Sequence, residues 1–258
     1  RFPAWTRGPV IVHPAKEPFP EWDDMNRLNR WRNVADVDVT TGAVSVRIPE
    51  RKITNYRVAR DGSTVALQED ATEKTDYETI GGTENRLLLW AQGTTEPKTI
   101  LAPKDAKGLT PRWSDDLKSM AWAKQGEVFV RALPDGEPRS LTPKPKPKPE
   151  EKPGAAPNVT PILTPEEKKE TEAAESFAVE SFSRDGTKLL LTSRKGWYVV
   201  NVVDGARRQI LTLETDEEKN PRIAALDWTP DGAAIVATMG ARDKWERGLV
   251  RIDATSGV

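Results

Sequence analysis

The chain contains a single histidine, His13, in the run Val10-Ile11-Val12-His13-Pro14. It is the one imidazole available to move protons near neutral pH. A lone histidine beside an apolar run reads as structural. Serine-nucleophile chemistry needs such a base together with a strained strand-to-helix elbow, and no G-x-S-x-G occurs in the chain. Histidine-built metal sites are excluded by the count, and the absence of cysteine excludes disulfides and thiolate zinc sites. Asp36 and Asp38 alternate along a strand-like run and are expected to share a face, but two carboxylates are a thin set for calcium. No P-loop or dinucleotide fingerprint is present, and Gly81-Gly82 lacks the strand-to-helix context that phosphate binding needs. The expectation is a chain with no catalytic residue, no cofactor and no metal of its own. What remains is non-covalent recognition, for which Tyr77, Arg242 and Trp245 are the candidate ligand-facing residues, each in a long polar loop.

Charge narrows the choice of partner. Lys plus Arg number 39 and Asp plus Glu 40, so no basic surplus marks a nucleic-acid face. No run approaches the roughly 18 apolar residues of a membrane span. The chain opens at Arg1-Phe2-Pro3 without an initiator Met or a signal-peptide pattern, and it closes in a turn at Thr255-Ser256-Gly257-Val258. Both ends suggest a piece of something longer.

The elements that would position a binding loop show themselves as a repeat. Four stretches align: Val58-Ala59-Arg60-Asp61-Gly62, Trp113-Ser114-Asp115-Asp116-Leu117, Phe182-Ser183-Arg184-Asp185-Gly186 and Trp228-Thr229-Pro230-Asp231-Gly232. A short apolar strand follows each, at 64–67, 119–123, 189–192 and 234–238. A large residue closes one strand, Asp-Gly turns the chain, and the next strand returns. Asp116-Leu117 lacks the glycine, so its turn is expected to be of a different type. A second turn follows in each unit, at Gly93, Asp135-Gly136, Asp204-Gly205 and Ser256-Gly257. Asp116 to Gly136 and Asp185 to Gly205 are both 20 residues apart, which sets the basic unit. The other two units carry insertions.

Four strands per unit in tandem predict an all-β fold, a partial β-propeller of about four to five four-stranded blades. A β-sandwich also has short strands and frequent turns, but it does not explain the recurring aromatic-x-x-Asp-Gly module. The expected blade units are 31–48 (partial), 53–101, 109–142, 177–213 and 221–258. Trp113, Phe182 and Trp228 occupy equivalent positions and are expected in the core. Residues 143–176 form an insertion between blades. Its Lys-Pro repeat from Pro143 to Pro157 should be extended and solvated, and a charged helix capped by Thr164 is expected over about Pro165 to Ser176. In an up-and-down blade with strands a to d, the Asp-Gly turns lie at the a–b and c–d end. The insertions at 69–85, 143–176 and 239–247 should then project from the opposite face, the natural place for binding.

The stretches Phe182-Ser183-Arg184-Asp185-Gly186-Thr187-Lys188-Leu189 and Trp228-Thr229-Pro230-Asp231-Gly232 resemble the PD40, or TolB-like, propeller repeat. The resemblance covers most of the chain from about Trp31 onward. WD40 is disfavoured, because its Gly-His and Trp-Asp signatures are absent at blade positions. Long irregular loops, uneven blade lengths and the run Trp31-Arg32-Asn33-Val34-Ala35-Asp36-Val37-Asp38 are most like the N-terminal propeller of the prolyl oligopeptidase (S9) serine peptidases. That resemblance implies a C-terminal α/β-hydrolase domain, a peptide substrate, and a propeller that gates or selects it. The family's catalytic Ser, Asp and His have no counterparts here. Glu150-Glu151, Glu166-Glu167 and Glu217-Glu218 sit in solvated or turn settings, so a paired-glutamate site for a substrate amine is not assigned. The alternatives are a TolB-like protein-interaction propeller without enzymatic activity, or a propeller attached to another enzyme. A periplasmic or secreted location is implied by the resemblance alone.

Overall fold

The computed structural model describes residues 31–72, 84–143 and 175–257. His13, Tyr77, Gly81-Gly82, Glu150-Glu151, Glu166-Glu167 and the Lys-Pro repeat beyond Pro143 lie outside them. Of the helix expected at about Pro165 to Ser176, only Glu175 and Ser176 are described, and neither is helical. The chain divides into two compact units, at Lys107 and Gly108.

The chain is an all-β β-propeller segment built of antiparallel sheets. In the first unit β1 (Arg32–Val37) pairs with β2 (Val44–Arg51). A four-stranded blade follows: β3 (Ile53–Val58), β4 (Thr64–Asp70), β5 (Asn85–Ala91) and β6 (Lys98–Leu101). A single helical turn, α1 (Pro103–Ala106), comes next. The second unit holds β7 (Arg112–Trp113), β8 (Ser119–Lys124), β9 (Glu127–Ala132) and β10 (Arg139–Ser140) in one sheet. Its second sheet is β11 (Ala178–Phe182), β12 (Lys188–Ser193), β13 (Gly196–Asn201) and β14 (Arg207–Thr212). A three-stranded sheet completes it: β15 (Arg222–Trp228), β16 (Ala234–Gly240) and β17 (Gly248–Asp253).

The continuous apolar run Leu189-Leu190-Leu191 on β12 follows from burial of both faces of its sheet. Leu189 and Leu191 pack with Ala121, Val128 and Val130 of the preceding sheet. Leu190, between them, turns the other way and packs with Trp228, Ile235 and Ile252 of the next. Phe182 and Trp228 are buried as the repeat suggests, whereas Trp113 is only half-buried.

The four a–b turns share one construction, with one correction to the sequence reading. In each, the Asp carboxylate accepts the amide two residues on: Ser63 N–H to Asp61 (2.9 Å), Lys118 N–H to Asp116 (3.0 Å), Thr187 N–H to Asp185 (3.1 Å) and Ala233 N–H to Asp231 (3.0 Å). The glycine amide donates to the carbonyl three residues back, and the Leu117 amide does the same to Ser114. Asp116-Leu117 therefore makes the same turn, with Leu117 in the left-handed region at φ 54°. The side chain is 2% exposed, and its burial offsets a strain of about 1–2 kcal/mol. Leu117→Ala, which keeps the strain and loses the packing, should destabilise by about 2–4 kcal/mol, and Leu117→Gly by about 1 kcal/mol less. Paired urea titrations check this ordering; an alanine variant as stable as the glycine variant contradicts it.

A second correction concerns Asp38. It lies beyond the end of β1, and its carboxylate accepts the amides of Thr40 and Thr41, both at 2.8 Å. Asp36 lies instead 3.9 Å from Arg47. Asp38 is a turn-former, not half of a carboxylate pair. Asn201 and Asp253 repeat the arrangement in their c–d turns, with the Gly42, Gly205 and Gly257 amides returning to the carbonyl four residues back.

The turn carboxylates also set an acid limit. Burial alone would raise the Asp185 carboxyl, but hydrogen bonds from the Ser183 hydroxyl and Thr187, with the charge of Lys188, hold it below its ordinary 3.8. A lowered folded value contributes stability that is present above the unfolded value and lost as pH falls through the folded one. The stability gap between wild type and Asp185→Asn should therefore be present at pH 6 and close below pH 3.8. Urea unfolding across that range reads it directly.

Candidate functional site

The Asp-capped a–b turns lie at one end of the sheets, and the insertions leave from the other end, which also carries the two-residue b–c turns at 125–126 and 194–195. Strands β4 and β5 run further than the sequence suggested, so the first insertion shrinks to 71–84, with Glu69, Asp70 and Asn85 inside strands. Its base is zipped. Ala71 N–H donates to the Glu84 carbonyl (2.7 Å), and Glu84 N–H to the Thr72 hydroxyl (2.9 Å). The Asp70 carboxylate in turn accepts the Thr72 amide (2.9 Å). Below this root, the 7%-exposed Glu69 receives Arg86 Nε at 2.8 Å and Arg51 Nη1 at 3.3 Å, while Arg51 Nη2 reaches Glu96 at 3.1 Å. The carboxylate is matched by two guanidinium groups from different strands, as a buried charge requires. This cluster escaped the sequence reading because Arg86 reaches Glu69 by β-pairing and Arg51 by packing of one sheet on another.

In the second unit, both roots of the 143–176 insertion bond to the start of β9. Val128 N–H donates to the buried Thr142 hydroxyl (2.9 Å), and Phe177 N–H donates to the Gly126 carbonyl (2.9 Å). Beside the returning root, Tyr198 Oη donates to Glu175 (2.8 Å), and the Ser193 hydroxyl donates to the same carboxylate oxygen. Burial first, then the Glu175 hydrogen bond and charge, push the Tyr198 hydroxyl above its ordinary value. Arg207 lies over the rings of Phe177 (4.6 Å) and Tyr198 (5.4 Å), and these meet edge-to-face.

The third insertion, 241–247, joins β16 to β17. Arg242 Nε donates to the Asn220 carbonyl (3.0 Å), and Arg222 donates to the Arg242 carbonyl. Asn220, itself buried, closes the neighbouring connection through Glu214 N–H (2.6 Å) and its own amide to the Glu214 carbonyl (2.8 Å). Arg242 is therefore a strut of the loop. Trp245 is what the loop presents, with 96% of its surface exposed. Leaving an indole in water forgoes roughly 2–3 kcal/mol of burial, so its exposure on a braced loop is the least economical feature of this end. The structure brings Arg242 and Trp245 onto one loop; Tyr77 falls outside the described residues.

No protein-family model matches the chain, and no curated protein matches it by sequence. Solved structures do. A dipeptidyl peptidase 4 of Porphyromonas gingivalis is 12% identical with a TM-score of 0.53, over 88% of this chain and 36% of that one. A prolyl endopeptidase is 11% identical with a TM-score of 0.50, over 84% of this chain and 30% of that one. A TolB-like protein of Agrobacterium tumefaciens is 16% identical with a TM-score of 0.44, over 81% of this chain and 64% of that one. The chain thus spans about a third of the length of the two peptidases. These likenesses show the fold: the chain is a β-propeller segment, similar to parts of the dipeptidyl peptidase 4 and of the prolyl endopeptidase.

Proposed function

We propose that this chain is the non-catalytic propeller of an S9-type serine peptidase, gating or selecting peptide substrates for a C-terminal α/β-hydrolase domain. The observation that carries the reading is the insertion of 241–247 between β16 and β17, braced by Arg242 at the end opposite the Asp231 turn, with Trp245 held out on it. Long loops on a rigid scaffold are where recognition resides. On this reading Trp245 faces the peptide and Arg242 braces the loop that presents it. Among the described residues no helix is long and apolar enough to cross a membrane. On this reading the chain works outside the cytoplasm, in the periplasm or secreted.

In the full-length protein, a serine-reactive phosphonate should label the hydrolase domain. Trp245→Ala should leave that labelling intact and raise KM for extended peptides about tenfold, as loss of an aromatic anchor does. Unchanged kinetics across a series of peptide lengths would remove Trp245 from the gate. The second reading, a TolB-like interaction propeller, is favoured by the same exposed indole, since Trp is enriched at the centres of protein interfaces. Its signature is protein capture lost in Trp245→Ala with no phosphonate labelling anywhere in the full-length chain.

A further inference from the structure

Among the described residues, the sheet of β1 and β2 is held on the blade of β3 to β6 by few side chains. Ile48, fully buried, is the one β2 side chain that enters the cluster of Val65, Leu67, Leu88 and Trp90, with Val34 and Ile53 packed at its edge. Val37, Val44 and Val46 of the same sheet stay 40–61% exposed. Between β1 and β3 runs an open groove of about 560 Å³, lined among others by Asn33, Ala35, Asn55 and Tyr56. Beside Ile48 and Val34, two arginines of β2 reach across the gap, one at each end. At the a–b end Arg47 donates to the Ser63 carbonyl at 2.8 Å and to the Gly62 carbonyl. At the insertion end Arg51 reaches Glu69 on β4 and lies 5.7 Å over the Trp90 ring.

We infer that Arg47 and Arg51 form a two-point latch, and that its release lets the β1–β2 sheet swing about Lys52 and widen the groove while β3 to β6 stays folded. Three features make the latch separable from the blade. Glu69 keeps Arg86, from its own sheet, when Arg51 leaves, so opening orphans no buried charge. Arg47 gives up only hydrogen bonds to turn carbonyls, which water can replace. The sheet contributes one fully buried side chain to the shared core, so it belongs to the low-stability end of the local-opening range. The two ends also differ in kind. Arg51–Glu69 is an ion pair and weakens with salt, whereas Arg47 binds neutral carbonyls and is far less sensitive.

Hydrogen exchange of the full chain tests the latch. Arg51→Met, which keeps an apolar stem against Trp90, should speed exchange of the β1 and β2 amides about tenfold. The amides of β4 and β5 should be unmoved. In wild type, 1 M NaCl should produce a similar acceleration confined to β1 and β2, and in Arg51→Met the added salt should do little more. Arg47→Met should speed the same amides while preserving the salt response. The latch is overturned if β4 and β5 accelerate together with β1 and β2, which would make them one cooperative unit. It is equally overturned if neither variant changes exchange in β1 and β2.

Discussion

Gly196→Ala should cost the second unit at least about 3 kcal/mol and lower its melting temperature by roughly 10 °C. Gly196 opens β13 at φ 143°, and a Cβ placed there would lie 1.8 Å from the Leu211 carbonyl oxygen and 2.9 Å from Gln209 Nε2. Neither neighbour can yield cheaply. Leu211 is main chain of the paired strand, opposite Trp197, and the Gln209 amide bridges the Lys195 carbonyl at 2.9 Å. Making room means pushing β14 off β13, which also breaks the Leu213 amide bond to the Lys195 carbonyl. Guanidinium unfolding measures the loss. Hydrogen exchange should place it first in β13 and β14, and an alanine variant within 1 kcal/mol of wild type would show that the strand pair relaxes more easily than this geometry allows.

Trp228→Ala should be similarly severe, at about 3–5 kcal/mol, because it empties a site enclosed by Leu190, Trp197, Ile235 and Ile252. The indole is 2% exposed, and its Nε1 donates to the Ser181 hydroxyl at 3.1 Å, tying β15 to β11. Trp228→Phe keeps most of the packing and loses that bond, so about 1–2 kcal/mol is expected. Trp245→Ala is the contrasting case. With no packing to lose, it should stay within about 0.5 kcal/mol of wild type in the same denaturation series. If Trp245→Ala destabilises the chain as Trp228→Ala does, the indole is structural and its place in the proposed binding face falls.

These variants separate what local chemistry could announce from what folding added. Turns are legible because their causes are local: an Asp carboxylate caps an amide two residues away, and glycine relieves a positive φ. Phe182-Ser183-Arg184-Asp185-Gly186 and Trp228-Thr229-Pro230-Asp231-Gly232 therefore announced their hairpins, and their regular spacing announced tandem sheets. The sequence by itself determined the all-β class, the four strands of three of the sheets, the buried Phe182 and Trp228, and the loop that carries Trp245. Only the tertiary structure decided whether a rule could be broken or a charge buried. Leu117 takes the glycine position because a pocket receives its side chain, which no turn rule can foresee. Asp38 looked like a strand carboxylate until the end of β1 at Val37 made it a turn cap. Glu69 could be buried only because β-pairing carried Arg86, 17 residues away, and sheet packing carried Arg51, 18 residues away, to its carboxylate. Gly196 was unremarkable in sequence, since the atom that forbids a side chain there belongs to a strand 15 residues further on. Local signals specify where a chain turns, and contacts between strands specify which residues the turns can spare.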